Sequence, residues 1–230
     1  MNPNILNYVW LDNPVNAIVG NDFVNTLPSN NFVSGAFKNS QGLEFASGLT
    51  LAQSIYLDGL TMTPECTREV WFRLDNWSLT NTTTSDGLFH LLVWSGPELP
   101  PPFFLIQISN TAGIRISFRG AGSVSNQFLN VTNQSLSANT WYHLAYSYSI
   151  ANQQMKMWIN NVLVGTSSFS VAQNMTAPPS SSSISLGKKS VEGIARPIIG
   201  WLDKFVNLNS LKTDFTDRFD RRSDLNDVIR

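Results

Sequence analysis

Residues Trp141 to Gly165, WYHLAYSYSIANQQMKMWINNVLVG, limit the folds open to this chain more than any other stretch. Trp141, His143, Ala145 and Ser147 alternate with Tyr142, Leu144, Tyr146 and Tyr148, the period of two that a strand imposes. Ile150 to Gln153 interrupts the pattern, and Met155, Met157 and Ile159 resume it against Lys156 and Trp158. Asn160-Asn161 then stands where a two-residue hairpin turn belongs, because asparagine tolerates the positive φ of a type I′ turn. Two strands and the start of a third, joined by polar turns, make antiparallel β-structure.

The same alternation recurs along the chain. Thr67 to Trp77 places Val70, Phe72 and Leu74 on one face, and Glu69, Trp71, Arg73, Asp75 and Trp77 on the other. Gly42–Phe45, Ser54–Met62, Leu88–Trp94, Phe103–Ser109, Ile114–Arg119, Ile184–Gly187 and Ile198–Leu208 read as further strands. The run Gly96 to Pro102 lacks the donors of a regular ladder and reads as a rigid loop. Residues 1–39 read as an extended lead-in packed on the sandwich, with an edge strand near Tyr8 to Leu11. Beyond Leu211 the character changes. Phe215 and Phe219 are four apart, as are Leu225 and Ile229, among crowded charges, which is helical spacing with a narrow apolar stripe. That tail, residues 212–230, is either a salt-bridged surface helix or a docking arm for another subunit. The expectation is an all-β, antiparallel two-sheet sandwich over residues 40–211 with a short C-terminal helical segment.

Charged residues are only 13% of the chain and the net charge is -1, so the surface is hydrogen-bonding rather than ionic. No electrostatic case exists for nucleic acid or an anionic membrane. No apolar run reaches the ~20 residues of a membrane helix, so membrane insertion is not expected. Cys66 is the single cysteine and excludes an intrachain disulfide framework. The opening MNPNILNYVW has neither a basic nor an apolar signal region, so no conventional secretory signal is expected; an extracellular or virion surface is the expected location.

Several segments together resemble the concanavalin A-like lectin/glucanase superfamily, in particular its laminin G-like jelly-roll branch. Gly42-Leu43-Glu44-Phe45 and Glu69-Val70-Trp71-Phe72-Arg73 resemble its early strands. Trp141-Tyr142-His143-Leu144-Ala145 resembles its W-x-H-φ-A strand, and Met157 to Asn161 its φ-Y-φ-N/D-G hairpin with Trp for Tyr and Asn for Gly. Ile184 to Gly187 followed by Gly200 to Phe205 resembles the closing pair of strands. The resemblance implies two curved sheets and glycan or protein recognition. It implies no activity, since the superfamily holds enzymes, lectins and structural modules.

The chemistry narrows this further. Glycoside hydrolysis needs two carboxylates about 5–5.5 Å or ~6.5–9.5 Å apart. The superfamily's glucanases carry Glu-x-Asp-x-x-Glu, which this chain lacks, so no enzyme and no catalytic residue is assigned. Glu69 and Asp75 share a strand face but lie roughly 20 Å apart along it. His90, His143 and Cys66 make no zinc spacing, and His143 reads as a buried, hydrogen-bonded histidine. No metal site and no cofactor is expected. Calcium is the one exception the resemblance admits; the chain has no Asp-x-Asp-x-Asp-Gly loop, isolated loop acids such as Asp22 and Asp86 match no ligand position of the relatives, and Asp203 reads as a structural acceptor.

Surface aromatics point to sugars, because an indole stacks on a sugar ring while neighbouring polar groups meet its hydroxyls. If Phe89, Leu91 and Val93 face the core, then Trp71, Arg73, His90 and Trp94 lie opposite them and line a groove. The alternative is that the lead-in or the C-terminal segment covers this face. The leading function is a non-enzymatic carbohydrate-binding domain. The second is a structural or decoration protein of a viral particle or surface assembly, in which the partner is a protein surface and the state an oligomer.

Overall fold

A computed structural model describes residues 5–10, 16–19, 24–25, 32–36, 41–45, 55–58, 63–75, 88–95, 103–109, 113–119, 127–131, 134, 136–169, 183–186, 190–191, 194–195 and 199–219. In chain order the first strands are β1 (Ile5–Trp10), β2 (Asn16–Val19), β3 (Val24–Asn25), β4 (Phe32–Ser34), β5 (Gln41–Phe45) and β6 (Ile55–Asp58). Next come β7 (Glu65–Leu74), β8 (Leu88–Ser95), β9 (Phe103–Ser109), β10 (Ile114–Arg119), β11 (Gln127–Val131) and β12 (Tyr142–Ser149). The last are β13 (Gln154–Ile159), β14 (Val162–Ser168), β15 (Ser183–Leu186), β16 (Ser190–Val191), β17 (Ile194–Ala195) and β18 (Gly200–Leu208).

A nine-stranded sheet runs β14-β13-β12-β7-β18-β1-β2, with β5 also on β18 and β4 on β5; a seven-stranded sheet runs β11-β10-β9-β8-β15-β6-β3. All pairings are antiparallel among the described residues. Alternation fixes which faces meet. Val70, Phe72, Leu144, Tyr146, Met155, Met157, Leu202 and Phe205 from one sheet bury against Ile106, Ile108, Ile114, Ile116, Leu129 and Val131 from the other. The two sheets also close along one edge, where Ser167 Oγ on β14 donates to the Phe128 carbonyl of β11 at 3.1 Å.

The hairpin expected at Asn160-Asn161 joins β13 to β14, with φ of 49° and 65° at the two asparagines. The lead-in differs from expectation. It is not a lead-in lying on a finished sandwich: β1, β2 and β4 extend the nine-stranded sheet, and β3 joins the seven-stranded one. The strand near Tyr8 is interior, paired on both sides.

One core feature depends on a bulge that alternation does not reveal. Asp203 pairs with Trp71 but Phe205 pairs with Val70, so Lys204, at φ 47°, is the extra residue. The slip turns Phe205 and Asn207 to the core side. Asn207 Oδ1 then accepts from Arg68 Nε at 3.0 Å while Arg68 Nη1 donates to the Tyr146 hydroxyl at 2.8 Å, which gives a buried arginine its partners.

Gly200 opens β18 against β7 so closely that a Cβ there would lie 2.2 Å from the Arg73 carbonyl oxygen and 2.9 Å from the Leu74 Cα. Those atoms belong to the backbone of an interior strand and cannot yield cheaply. Gly200→Ala is expected to cost about 1–3 kcal/mol through overpacking, measured as a lowered denaturant midpoint at unchanged slope.

After Leu208 the helical segment is minor among the described residues. Residues 209–215 run without regular structure, and one 3₁₀ turn spans Thr216–Arg218. The rest of the tail, residues 220–230, lies outside the described residues.

Candidate functional site

Alternation that sends Val70 and Phe72 inward sends Glu69, Trp71 and Arg73 to the outer face of the nine-stranded sheet. His143 and Ala145 of β12 and Trp158 of β13 share that face. The segment after β18 crosses it as a strap. Thr67 Oγ1 donates to the Ser210 carbonyl at 2.8 Å and accepts from the Lys212 amide at 2.9 Å. The Asn161 side chain of the β13–β14 turn accepts from the Phe215 amide at 2.7 Å and donates to Thr216 Oγ1 at 2.9 Å. Phe215 is fully buried between Ala145 and Trp158.

Arg218 locks the far end of the strap. Its Nε and Nη2 donate to the two Glu69 oxygens at 2.7 and 3.1 Å, and His143 Nε2 lies 3.1 Å from Glu69 Oε2. Burial alone would raise the Glu69 carboxyl; the Arg218 guanidinium and the His143 hydrogen bond outweigh it and hold it at about 2. A carboxyl so firmly ionised is unsuited to act as a general acid. His143, expected to be buried and hydrogen-bonded, is both. Trp71 is 2% exposed and packs against His143 and Phe219, with ring centroids 5.1 and 5.3 Å away.

The proposed Trp71, Arg73, His90 and Trp94 groove is therefore corrected on two counts. Trp71 is sealed by the C-terminal segment. Trp71 and Arg73 also belong to β7 in the nine-stranded sheet, whereas His90 and Trp94 belong to β8 in the seven-stranded sheet. Within β8 the register slips between His90, opposite Gln107, and Leu92, opposite Ile106. His90 and Trp94 thus take register positions of opposite parity. Their side chains lie outside the described residues, as do Trp77, Asp22 and Asp86.

His90 does fall beside a group that sequence reading did not assign. The outward positions of β9, β10 and β11 bring Gln107, Arg115, Ser117, Phe128 and Asn130 together, in a register row Gln107–Arg115–Asn130 with Ser117 across from Phe128. Gln107 Oε1 accepts from Arg115 Nε at 3.0 Å and from Ser117 Oγ at 3.1 Å, and both Gln107 and Ser117 are buried. The guanidinium lies 5.4 Å from the Phe128 ring, which is 43% exposed. Among the described residues the two Nη groups of Arg115 have no acceptor, so a fork of donors is held in place beside an open aromatic ring. The alternation of Arg115 and Ser117 against Ile114 and Ile116 was readable in the sequence. Their partner Phe128 was not, because β11 carries too short an apolar pattern to be read as a strand.

Among the described residues no three His, Cys, Asp or Glu side chains gather as a metal would need, and no helix is long and apolar enough to cross a membrane. Asp203 Oδ2 accepts from the Ala36 amide at 2.9 Å, the structural acceptor role expected of it.

A family model for the concanavalin A-like lectin/glucanases superfamily, of laminin G type, matches residues 40–211. The chain belongs to that superfamily. Among curated proteins none matches the sequence. Of solved structures, the Ruminococcus gnavus IT-sialidase CBM40 bound to α2,3-sialyllactose superposes with a TM-score of 0.55 at 14% identity, over 75% of this chain and 91% of that one. The leech intramolecular trans-sialidase gives 0.52 at 21% identity, over 66% of this chain but 22% of the enzyme. The binding domain of botulinum neurotoxin DC, in complex with SialylT, gives 0.66 at 12% identity, over 92% of this chain and 50% of that one. At such identities the likeness is one of fold: a concanavalin A-like jelly roll.

Proposed function

We propose that this concanavalin A-like domain binds carbohydrate without catalysis, through the Arg115 face of the seven-stranded sheet, and that its ligand carries a carboxylate. The observation that carries this reading is the Arg115 guanidinium, fixed by Gln107 at its Nε, with both Nη groups lacking an acceptor among the described residues and lying beside the exposed Phe128 ring. A planar fork of that kind matches a carboxylate in two parallel hydrogen bonds. The phenyl ring supplies the apolar surface on which a sugar face rests, and exposed Asn130 offers an amide to hydroxyls. The groups gathered are a guanidinium, amides, a hydroxyl and a phenyl ring, without the carboxylate pair that glycosidic cleavage needs. The fold likeness to a CBM40 bound to sialyllactose and to a neurotoxin domain in complex with SialylT supports an acidic sugar.

The test is a glycan array followed by titration of 3′-sialyllactose against lactose. Arg115→Ala is expected to weaken the acidic glycan at least about 30-fold, the loss of a charge-assisted pair, and Phe128→Ala about 5- to 10-fold. Arg115→Lys keeps the charge but not the fork and is expected to recover only part of the loss. None of the three is expected to move the melting temperature by more than about 2 °C, since they fill no core. A blank array from a protein that light scattering shows to be a stable oligomer favours the scaffold role instead.

A further inference from the structure

Among the described residues the strap seals the outer face of the nine-stranded sheet at one end. At the other end the pairings set Glu44 of β5, Trp201 of β18 and Arg73 of β7 in one cross-strand row. Trp141, just before β12, closes the row. Its ring reaches over β5, where a Cβ at Gly42 would be 2.6 Å from Cη2 and would push the indole aside. Arg73 stacks on Trp201 with Cζ 4.6 Å from the ring and donates from Nη2 to Asn139 Oδ1 at 3.1 Å. All four residues of the row are half-exposed, and Asn139 is exposed.

The hydrogen bonding of this row is incomplete. Arg73 Nε and Trp201 Nε1 are buried donors without an acceptor. Among the described residues the Glu44 carboxylate has neither a hydrogen bond nor an ion pair. Unmet buried donors are rare in folded proteins and commonly mark where water, an ion or a ligand belongs. Here two stand side by side, with an unpaired acid one strand away and two indoles on the same face.

We propose that Glu44, Trp201, Arg73, Trp141 and Asn139 form a second carbohydrate site, on the sheet opposite Arg115, that takes a neutral, hydroxyl-rich sugar. The sugar's hydroxyl oxygens accept from Trp201 Nε1 and Arg73 Nε, and a hydroxyl proton is donated to Glu44. The indoles receive the apolar face of the ring. Glu44 sets the charge preference. A carboxylate on the strand next to Trp201, unpaired among the described residues, repels an acidic sugar and welcomes a donor. The donors are shielded while their parent residues are half-exposed, so an entering hydroxyl reaches them by shifting the guanidinium off the indole. Binding therefore changes tryptophan fluorescence. This site rests on its own residues and does not require the Arg115 reading.

The experiment titrates the full chain with lactose, maltotriose and mannobiose as uncharged probes and with 3′-sialyllactose as the acidic comparison, following tryptophan fluorescence and heat. At least one neutral probe is expected to bind with an emission change, and Glu44→Gln or Arg73→Lys to weaken it about 10-fold or more, a step of ~1.4 kcal/mol. Arg115→Ala is expected to leave the neutral probe's affinity unchanged. Glu44→Gln is isosteric and half-exposed, so it reports binding even where Trp201→Phe disturbs packing. No neutral probe bound at 10 mM, about the weakest affinity of interest, overturns the proposal. So does neutral binding that survives both Glu44→Gln and Arg73→Lys. If Arg115→Ala abolishes neutral and acidic binding together, only the seven-stranded face binds sugar and the second site is refuted.

Discussion

A chain ending at Leu211 is expected to be at least about 3–5 kcal/mol less stable than one ending at Phe219, the cost of removing one well-packed phenylalanine. The strap contains such a residue. Phe215 is fully buried, with its ring centroid 5.4 Å from Trp158 and 5.5 Å from His143. Losing residues 212–219 would also uncover Ala145 and Trp158 and leave Glu69 without Arg218. The chain ending at Phe219 keeps every strap contact described above and is expected to unfold like the full chain. Urea unfolding of the three forms, with Phe215→Ala beside them, separates the contributions. Equal midpoints for the chains ending at Leu211 and Phe219 would show that the strap only decorates the sheet, and would reopen Trp71 as a sugar platform.

This strap also shows what the sequence discloses and what it conceals. The spacing of Phe215 and Phe219 was visible and pointed to a helix. Both side chains do face the sandwich, but through an irregular run and one 3₁₀ turn, because the anchors are fixed by the sheet rather than by helical pitch. The strands of the central stretch and the hairpin at Asn160-Asn161 were legible because each obeys a local rule: alternation, or the positive φ that asparagine tolerates. Two of the bulges that decide the site were not. Lys204 and the slip after His90 insert one residue each without any composition cue, and each inverts the parity of the positions beyond it. The proposed groove failed for that reason and for a second one. Period-two reading sorts residues into faces of a strand, but it cannot say that β7 and β8, neighbours in sequence, belong to different sheets. Arg73 kept an outward position, and its partners Trp201 and Asn139 come from parts of the chain more than sixty residues away.

The buried ion pair gives the second large effect, and its sign depends on which partner remains. In the folded domain the Glu69 carboxyl drops from the ordinary 4.5 to about 2. A depressed carboxyl contributes stability that is complete above its ordinary value and disappears as pH falls from about 4.5 through about 2. At about 1.4 kcal/mol per unit this amounts to roughly 3 kcal/mol, so midpoints are expected to fall steeply between pH 5 and pH 3. Arg218→Met should reverse the trend. It leaves a buried carboxylate with only His143 beside it, costs about 3–5 kcal/mol at neutral pH, and lets burial push the carboxyl upward. Its penalty is then expected to shrink, not grow, as the pH is lowered. Glu69→Gln alone removes the titrating group and flattens the acid limb, although Arg218 loses its charged partner. The double variant Glu69→Gln with Arg218→Met strands no buried charge, since the exposed Asp217 keeps Lys212, and is expected to lie within about 1–2 kcal/mol of the parent, because a buried pair replaced as a unit is often nearly neutral. Unfolding curves at pH 7, 5 and 3 for the four proteins test this directly. The titratable groups at the latch are Glu69, His143 and Arg218, with Asp217 paired to Arg218 Nη1 at 2.7 Å and to Lys212 at 2.9 Å. An acid limb that stays equally steep in Glu69→Gln would assign the pH response to one of those neighbours and remove Glu69 from the account.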